Sequence, residues 1–255
     1  MTGLVPQVLE AGWWGLVAGS ALLIGALLGY TLRVPRLLIA SVMAFGAGVL
    51  LSAVSFELVG EAYERAGLAP AVIGTVGGAV AYTAGNVVLA RRGARHRKRS
   101  GHHRLQPSEA EQSGSGRALA LGALLDGVPE SAVIGVGLLE GGAVGLVTVT
   151  AVFISNLPEG LSSAAGMKEA GRGGGYVFSV WGAIAAASAV SAVLGYTVVG
   201  GLSTAVVAAV TAVAAGAMLA MIADTMIPEA FDRAHLAIGL IMVCGFLVSF
   251  TLSHV

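Results

Sequence analysis

This chain carries little charge. Asp, Glu, Lys and Arg make up 11% of its 255 residues, less than half the roughly 25% of an ordinary soluble domain. The 14 acidic and 14 basic residues cancel to a net charge of zero, so there is no basic footprint for a nucleic acid. Cysteine occurs once, as Cys244 inside an apolar run. That excludes a disulfide within the chain and any cysteine-based metal spacing. No nucleophile-and-base pair stands out beyond isolated serines, so no enzymatic activity is expected. The first apolar stretch has no basic segment before it, and no cleavable signal peptide is expected.

What is present is apolar. Hydrophobic residues make up 56% of the chain, and the mean hydropathy is +0.86. Most of the chain is therefore expected to lie in a lipid bilayer. Eight apolar segments run over about 11–32, 36–60, 68–90, 117–139, 143–167, 175–199, 203–227 and 236–254. Each is close to the roughly 20 residues a helix needs to cross the hydrocarbon layer. All are rich in Gly and Ala, which let packed helices approach closely. The expected fold is an all-α membrane protein of eight transmembrane helices.

One stretch is different. Residues 91–116, RRGARHRKRSGHHRLQPSEAEQSGSG, are basic, then acidic, then rich in Gly and Ser, and read as a loop between the third and fourth helices. The loop's His96, His102 and His103 sit among Arg and Lys that would repel a metal cation. Arg33, Arg36, the 91–104 cluster, Arg117, Lys168, Arg172 and Arg233 fall in odd-numbered connections, and Arg65 alone in an even one. The positive-inside rule then places both termini outside and the 91–116 loop in the cytoplasm of a cell-membrane protein. Trp13 and Trp14 read as an outer interfacial anchor.

The chain also repeats itself. AGVLLSAVSFELVGEAYERAG (47–67) aligns without a gap with AGAMLAMIADTMIPEAFDRAH (215–235). Glu61 matches Glu229, Arg65 matches Arg233, and both copies share a Glu-Ala-aromatic-acid-Arg-Ala ending. With eight spans, one copy leaves the membrane outside and the other inside, which makes an inverted-topology repeat. The expected plan is three helices (residues 1–90), a central pair (117–170) and three more (171–255).

The central pair carries an echo of its own: Asp126-Gly-Val-Pro129-Glu130 and Ser155-Asn-Leu-Pro158-Glu159. Asp126 and Glu130 lie four apart on one helix face, as do Ser155 and Glu159. Pro129 and Pro158 remove helical hydrogen bonds and free the carbonyls of Leu125 and Ile154. A carboxylate in mid-membrane costs several kcal/mol unless it faces water, a bundle interior or a cation. Asp126, Glu130 and Glu159, assisted by Ser155 and Asn156, therefore read as an oxygen-rich site for a hard or intermediate divalent ion. Glu57 and Glu61 read as an entrance or as solvated acids at a helix end. Asp224 reads as a fourth acidic ligand or as a step along the path, and Glu229 as a further acid on that path.

In this combination the chain resembles the ZIP (Zrt/Irt-like) metal-ion transporters. That family has eight spans in a 3+2+3 inverted plan, outward termini and a cytoplasmic loop between helices three and four. Its fourth and fifth helices carry His-Asn-x-Pro-Glu-Gly-type motifs, which here read Asp126-Gly127-Val-Pro129-Glu130-Ser131 and Ser155-Asn156-Leu-Pro158-Glu159-Gly160. The family's sixth-helix glutamate aligns with Ser188, and its seventh-helix His-Glu pair with Asp224-Thr225. No histidine ligand remains. The resemblance implies an altered, mononuclear, oxygen-dominated site and the transport, as uptake, of a divalent metal such as zinc, iron or manganese. Beyond that transported ion no cofactor is expected. The expected partners are the metal as substrate, the bilayer and a second copy of the chain in a homodimer. The alternatives are a non-transporting scaffold or metal sensor of the same fold, and a carrier of a different solute.

Overall fold

The computed structural model describes residues 4–94, 106, 111, 115–140, 143–231 and 237–254. Among these the chain is helical, with no β-strand. Lipid offers no water to a backbone N–H or carbonyl, so an apolar chain satisfies its backbone within helices.

The helices are α1 (Leu4–Thr31), α2 (Arg36–Ala66), α3 (Leu68–Arg92), α4 (Ser115–Gly137), α5 (Ala143–Glu169), α6 (Gly174–Val199), α7 (Thr204–Phe231) and α8 (Ile238–Leu252). Each falls where an apolar segment was expected. Six of them, α1 to α4, α6 and α7, are long and apolar enough to cross a membrane. The chain is a multi-pass membrane protein. Of the other two expected spans, α5 has the length but carries Thr148, Thr150, Ser155, Asn156, Glu159 and Ser162 along it. Helix α8 has only 15 residues.

Helix α1 lies between α5 and α6, α2 lies against α8 and α5, and α3 lies against α7. Helix α4 contacts α6 and α7. Glycine sets how close these pairs come. A Cβ on Gly48 of α2 would collide with the Met242 carbonyl of α8, and one on Gly216 of α7 would collide with the Thr75 carbonyl of α3. With no large hydrophobic gain between helices already in lipid, such close packing is a main source of association.

Two of the apolar clusters among the described residues are large. Met43, Leu50 and Val54 of α2 pack with Met218, Met221 and Met226 of α7. Leu22, Leu119, Trp181 and Ile184 join α1, α4 and α6. Helix α3 keeps only 17% of its crossing window buried, and Ile73 on α3 and Leu240 on α8 are each 71% exposed. Both helices turn apolar side chains outward, as a lipid-facing surface requires.

Helices α2 and α7 each contain a wider π-helical turn, at Val54–Val59 and Ile222–Met226. In the internal repeat Val54 aligns with Ile222, so the two copies share the irregularity as well as the sequence. Gly67, with φ of 80°, closes α2 in the left-handed region that glycine adopts without a Cβ penalty.

The first and fifth connections lie at the same end of the bundle, where Arg36 Nη2 is 3.4 Å from Glu169 Oε1. His96, His102, His103, Arg233 and His235 lie outside the described residues, as does most of the 91–116 segment. Gln106 within it is buried, and its Nε2 donates to the Ser163 carbonyl of α5 at 3.1 Å.

Candidate cation site

The buried acidic and basic side chains among the described residues are four carboxylates: Asp126 and Glu130 at 1% exposure, Glu159 at 3% and Glu229 at 6%. Ser155 and Asn156 are buried beside them in the sequence. Both helices run on through their prolines, Pro129 in α4 and Pro158 in α5. The Pro-Glu motifs therefore stay helical, and the four-residue spacing keeps Asp126 and Glu130 on one face of α4.

Asp126 is tied across the bundle. The phenol of Tyr82 on α3 donates to its Oδ1 at 2.6 Å. One turn further along α3, Asn86 reaches Asp224 Oδ2 at 3.5 Å. Asp224 is exposed and lies in the π-turn of α7.

On α5 the hydroxyl of Ser155 donates to the Val152 carbonyl of its own helix at 2.9 Å. Asn156 Nδ2 donates to the Ala18 carbonyl of α1 at 3.0 Å, stitching α5 to α1. A Cβ on Gly46 would lie 3.2 Å from Pro158 Cγ and 3.3 Å from the Ser155 Cα. Glycine on α2 thus lets the α5 motif sit against that helix. Near α4, the Ser191 hydroxyl donates to the Val128 carbonyl at 2.9 Å, and Ser188 Oγ lies 4.0 Å from where a Gly127 Cβ would stand.

The aligned acids of the repeat have different surroundings. Glu229 is buried on α7 and accepts from Ser162 of α5 at 2.8 Å. Glu61 is half-buried and pairs with Arg65 of its own helix at 2.5 Å. Glu57 is half-buried in the π-turn of α2.

Among the described residues no three His, Cys, Asp or Glu side chains gather closely enough to hold one ion. Asp126, Glu130 and Glu159 are all buried, yet they do not form such a group. An ion near them would need neutral oxygens as well as carboxylates, and Ser155 and Asn156 offer that chemistry.

Tyr82, Asn86, Ser162 and Ser191 were not singled out in the sequence. The signal was there for the first two. Tyr82 and Asn86 are polar residues four apart in an otherwise apolar segment, the spacing of one helix face. Ser162 and Ser191 lie in Ser- and Ala-rich runs where nothing marks one hydroxyl over another.

Neither the protein-family models nor the curated proteins contain a match to this chain. The fold and the site themselves define an all-helical, multi-pass membrane protein that buries carboxylates within its bundle.

Proposed function

We propose that the chain is a ZIP-like carrier that moves divalent metal ions across a cell membrane. The observation that carries this reading is the burial of Asp126, Glu130, Glu159 and Glu229 within an apolar helical bundle. Charges of one sign in a low-dielectric interior cost several kcal/mol each, and a passing cation offsets that cost.

The packing supports eight spans in a 3+2+3 inverted plan. Exchange α1 with α6, α2 with α7, α3 with α8 and α4 with α5, and the main contacts map onto one another. The α3–α7 contact becomes α8–α2, α1–α5 becomes α6–α4, α2–α5 becomes α7–α4, and α1–α6 maps onto itself. The glycine contacts follow the same exchange. Gly48 and Gly216 are aligned in the repeat, and they meet carbonyls of α8 and α3, the two helices that the exchange relates. Sites in such transporters lie near the midplane at the repeat interface, where the central pair α4 and α5 belongs. Arg36, Lys168 and Arg172 are consistent with a cytoplasmic end, which sets both termini outside.

In this reading Asp126, Glu130 and Glu159 supply the charge. Ser155 and Asn156 complete an oxygen set suited to manganese, iron or zinc. Glu57, Glu61, Asp224 and Glu229 lie along the path. The ion is taken up one at a time, since the donors present are few for two.

Uptake of Mn²⁺, Fe²⁺ or Zn²⁺ into proteoliposomes tests the reading. Glu130→Ala and Glu159→Ala are each expected to reduce it at least about tenfold, the loss of one charged ligand contact of roughly 1.4 kcal/mol or more. Unchanged uptake in both variants refutes it.

The lack of any three-residue His, Cys, Asp or Glu cluster among the described residues favours a second reading, a metal sensor or scaffold of the same architecture. Metal-dependent thermal stabilisation without flux in liposomes would select the sensor. No metal response at all would select the scaffold.

A further inference from the structure

The end of the bundle opposite Glu57 and Glu61 holds an open cavity of about 680 Å³, bounded by the α1–α2 connection and the last turn of α5. Its charged lining is Arg33, Arg36, Lys168 and Glu169, three cations against one carboxylate. Glu169 is already engaged by Arg36 at 3.4 Å. Lys168 donates to the Tyr30 carbonyl at 2.6 Å and lies 5.4 Å from the centroid of the Tyr30 ring, contacts that bring no opposing formal charge. Arg33 is exposed and makes no hydrogen bond or ion pair among the described residues. Helix α2 begins at the rim with no side-chain cap, so the positive end of its dipole adds to the same field.

We propose that this cavity binds a phosphate group, and that the phosphate is the headgroup of an anionic phospholipid. The charge fits a phosphate monoanion or diester: two uncompensated cations, one of them a guanidinium able to form a bidentate pair. The setting selects the lipid as its source. Leu32, Leu37 and Leu38 beside the basic residues are 55%, 61% and 52% exposed, an apolar surface on which acyl chains would lie. The crossing helices α1 and α2 end and begin here, so the cavity sits at the depth of a headgroup layer. Basic pockets between helix ends at such a boundary are suited to anionic headgroups.

Native mass spectrometry of the full-length purified chain tests this. The probes are dihexanoyl phosphatidylglycerol, dihexanoyl phosphatidylcholine and inorganic phosphate. Phosphatidylglycerol is expected to bind at least about tenfold more tightly than phosphatidylcholine, the value of one charge-assisted pair. Arg33→Gln with Lys168→Gln is expected to abolish that preference, while Arg33→Lys alone retains most of it. Both sites are exposed at a helix end, so the variants are expected to elute as the wild type does in size exclusion. Equal binding of the two lipids, or a preference untouched by the double variant, overturns the proposal. Displacement of phosphatidylglycerol by inorganic phosphate at the same concentrations overturns the lipid assignment in favour of a soluble phosphate.

Discussion

The bond from Tyr82 to Asp126 gives the sharpest test of the buried site. Tyr82→Phe removes one oxygen and keeps the ring, so the packing of this buried side chain on α3 is almost unchanged. What is lost is a 2.6 Å hydrogen bond that joins α3 to α4. Side-chain hydrogen bonds between membrane helices average about 0.6 kcal/mol and reach about 1.7 kcal/mol. The expected coupling for this short, buried bond is therefore about 0.6–1.7 kcal/mol. A double-mutant cycle of Tyr82→Phe and Asp126→Ala measures it, since alanine removes the acceptor without adding bulk and the space it leaves is common to both Tyr82 backgrounds. The readout is reversible unfolding in mixed micelles by titration with a denaturing detergent. Trp181, buried in the α1–α4–α6 core, supplies the fluorescence signal. A coupling below about 0.5 kcal/mol, the usual additivity error for independent sites, would refute the claim that the Tyr82–Asp126 bond holds α3 to α4.

The other expectations use the same unfolding assay. Gly48→Ala and Gly216→Ala drive a Cβ into a backbone carbonyl of the facing helix, and each is expected to cost about 1–3 kcal/mol, the range for overpacking. Gly77→Ala on α3 meets nothing within 4 Å and is expected to be neutral or to stabilise by up to about 1 kcal/mol through helix propensity. Ser162→Ala removes the hydroxyl that Glu229 accepts from and is expected to cost about 1 kcal/mol. Arg65→Ala breaks a partly exposed ion pair within one helix and is expected to change stability by less than about 0.5 kcal/mol.

Much of the fold was legible because lipid imposes a simple rule on sequence. A chain without water around it becomes helical wherever about 20 apolar residues run together, and the eight helices stand where those runs stand. The resemblance of 47–67 to 215–235 was equally plain in the sequence, and the shared π-turns give it a structural counterpart. Two spans were harder to grade. Helix α5 dilutes its apolar face with the very polar residues that make the site interesting. Helix α8 is shorter than its apolar run suggested.

The site was legible as composition and not as geometry. The paired Pro-Glu motifs marked Asp126, Glu130 and Glu159 as buried acids, because a carboxylate in an apolar helix has few other places to be. Their partners came from helices far away in sequence. Tyr82 reaches Asp126 from α3, Ala18 offers its carbonyl to Asn156 from α1, and Ser162 reaches Glu229 from α5. No local spacing specifies such pairs, since they depend on which helix faces which. The two copies of the repeat diverge for the same reason. Glu61 finds an arginine one turn away on its own helix, whereas Glu229 faces α5.

By itself the sequence determined that this is a helical membrane protein, where its helices fall, and that its central segments bury acid. Hydropathy, proline and helical period are local quantities, and the bilayer converts them directly into structure. Only the tertiary structure decided how close the helices come and which polar atoms meet. Both follow from the glycine contacts that set the helix pairs in register. The Pro-Glu echo aligns Pro129 with Pro158, whereas the helix exchange proposed above pairs Gly135 of α4, which meets the Ala192 carbonyl of α6, with Gly160 of α5, which meets the Leu22 carbonyl of α1. The two registers differ by one helical turn. That turn decides which side chain stands beside which, and packing sets it where the motif cannot.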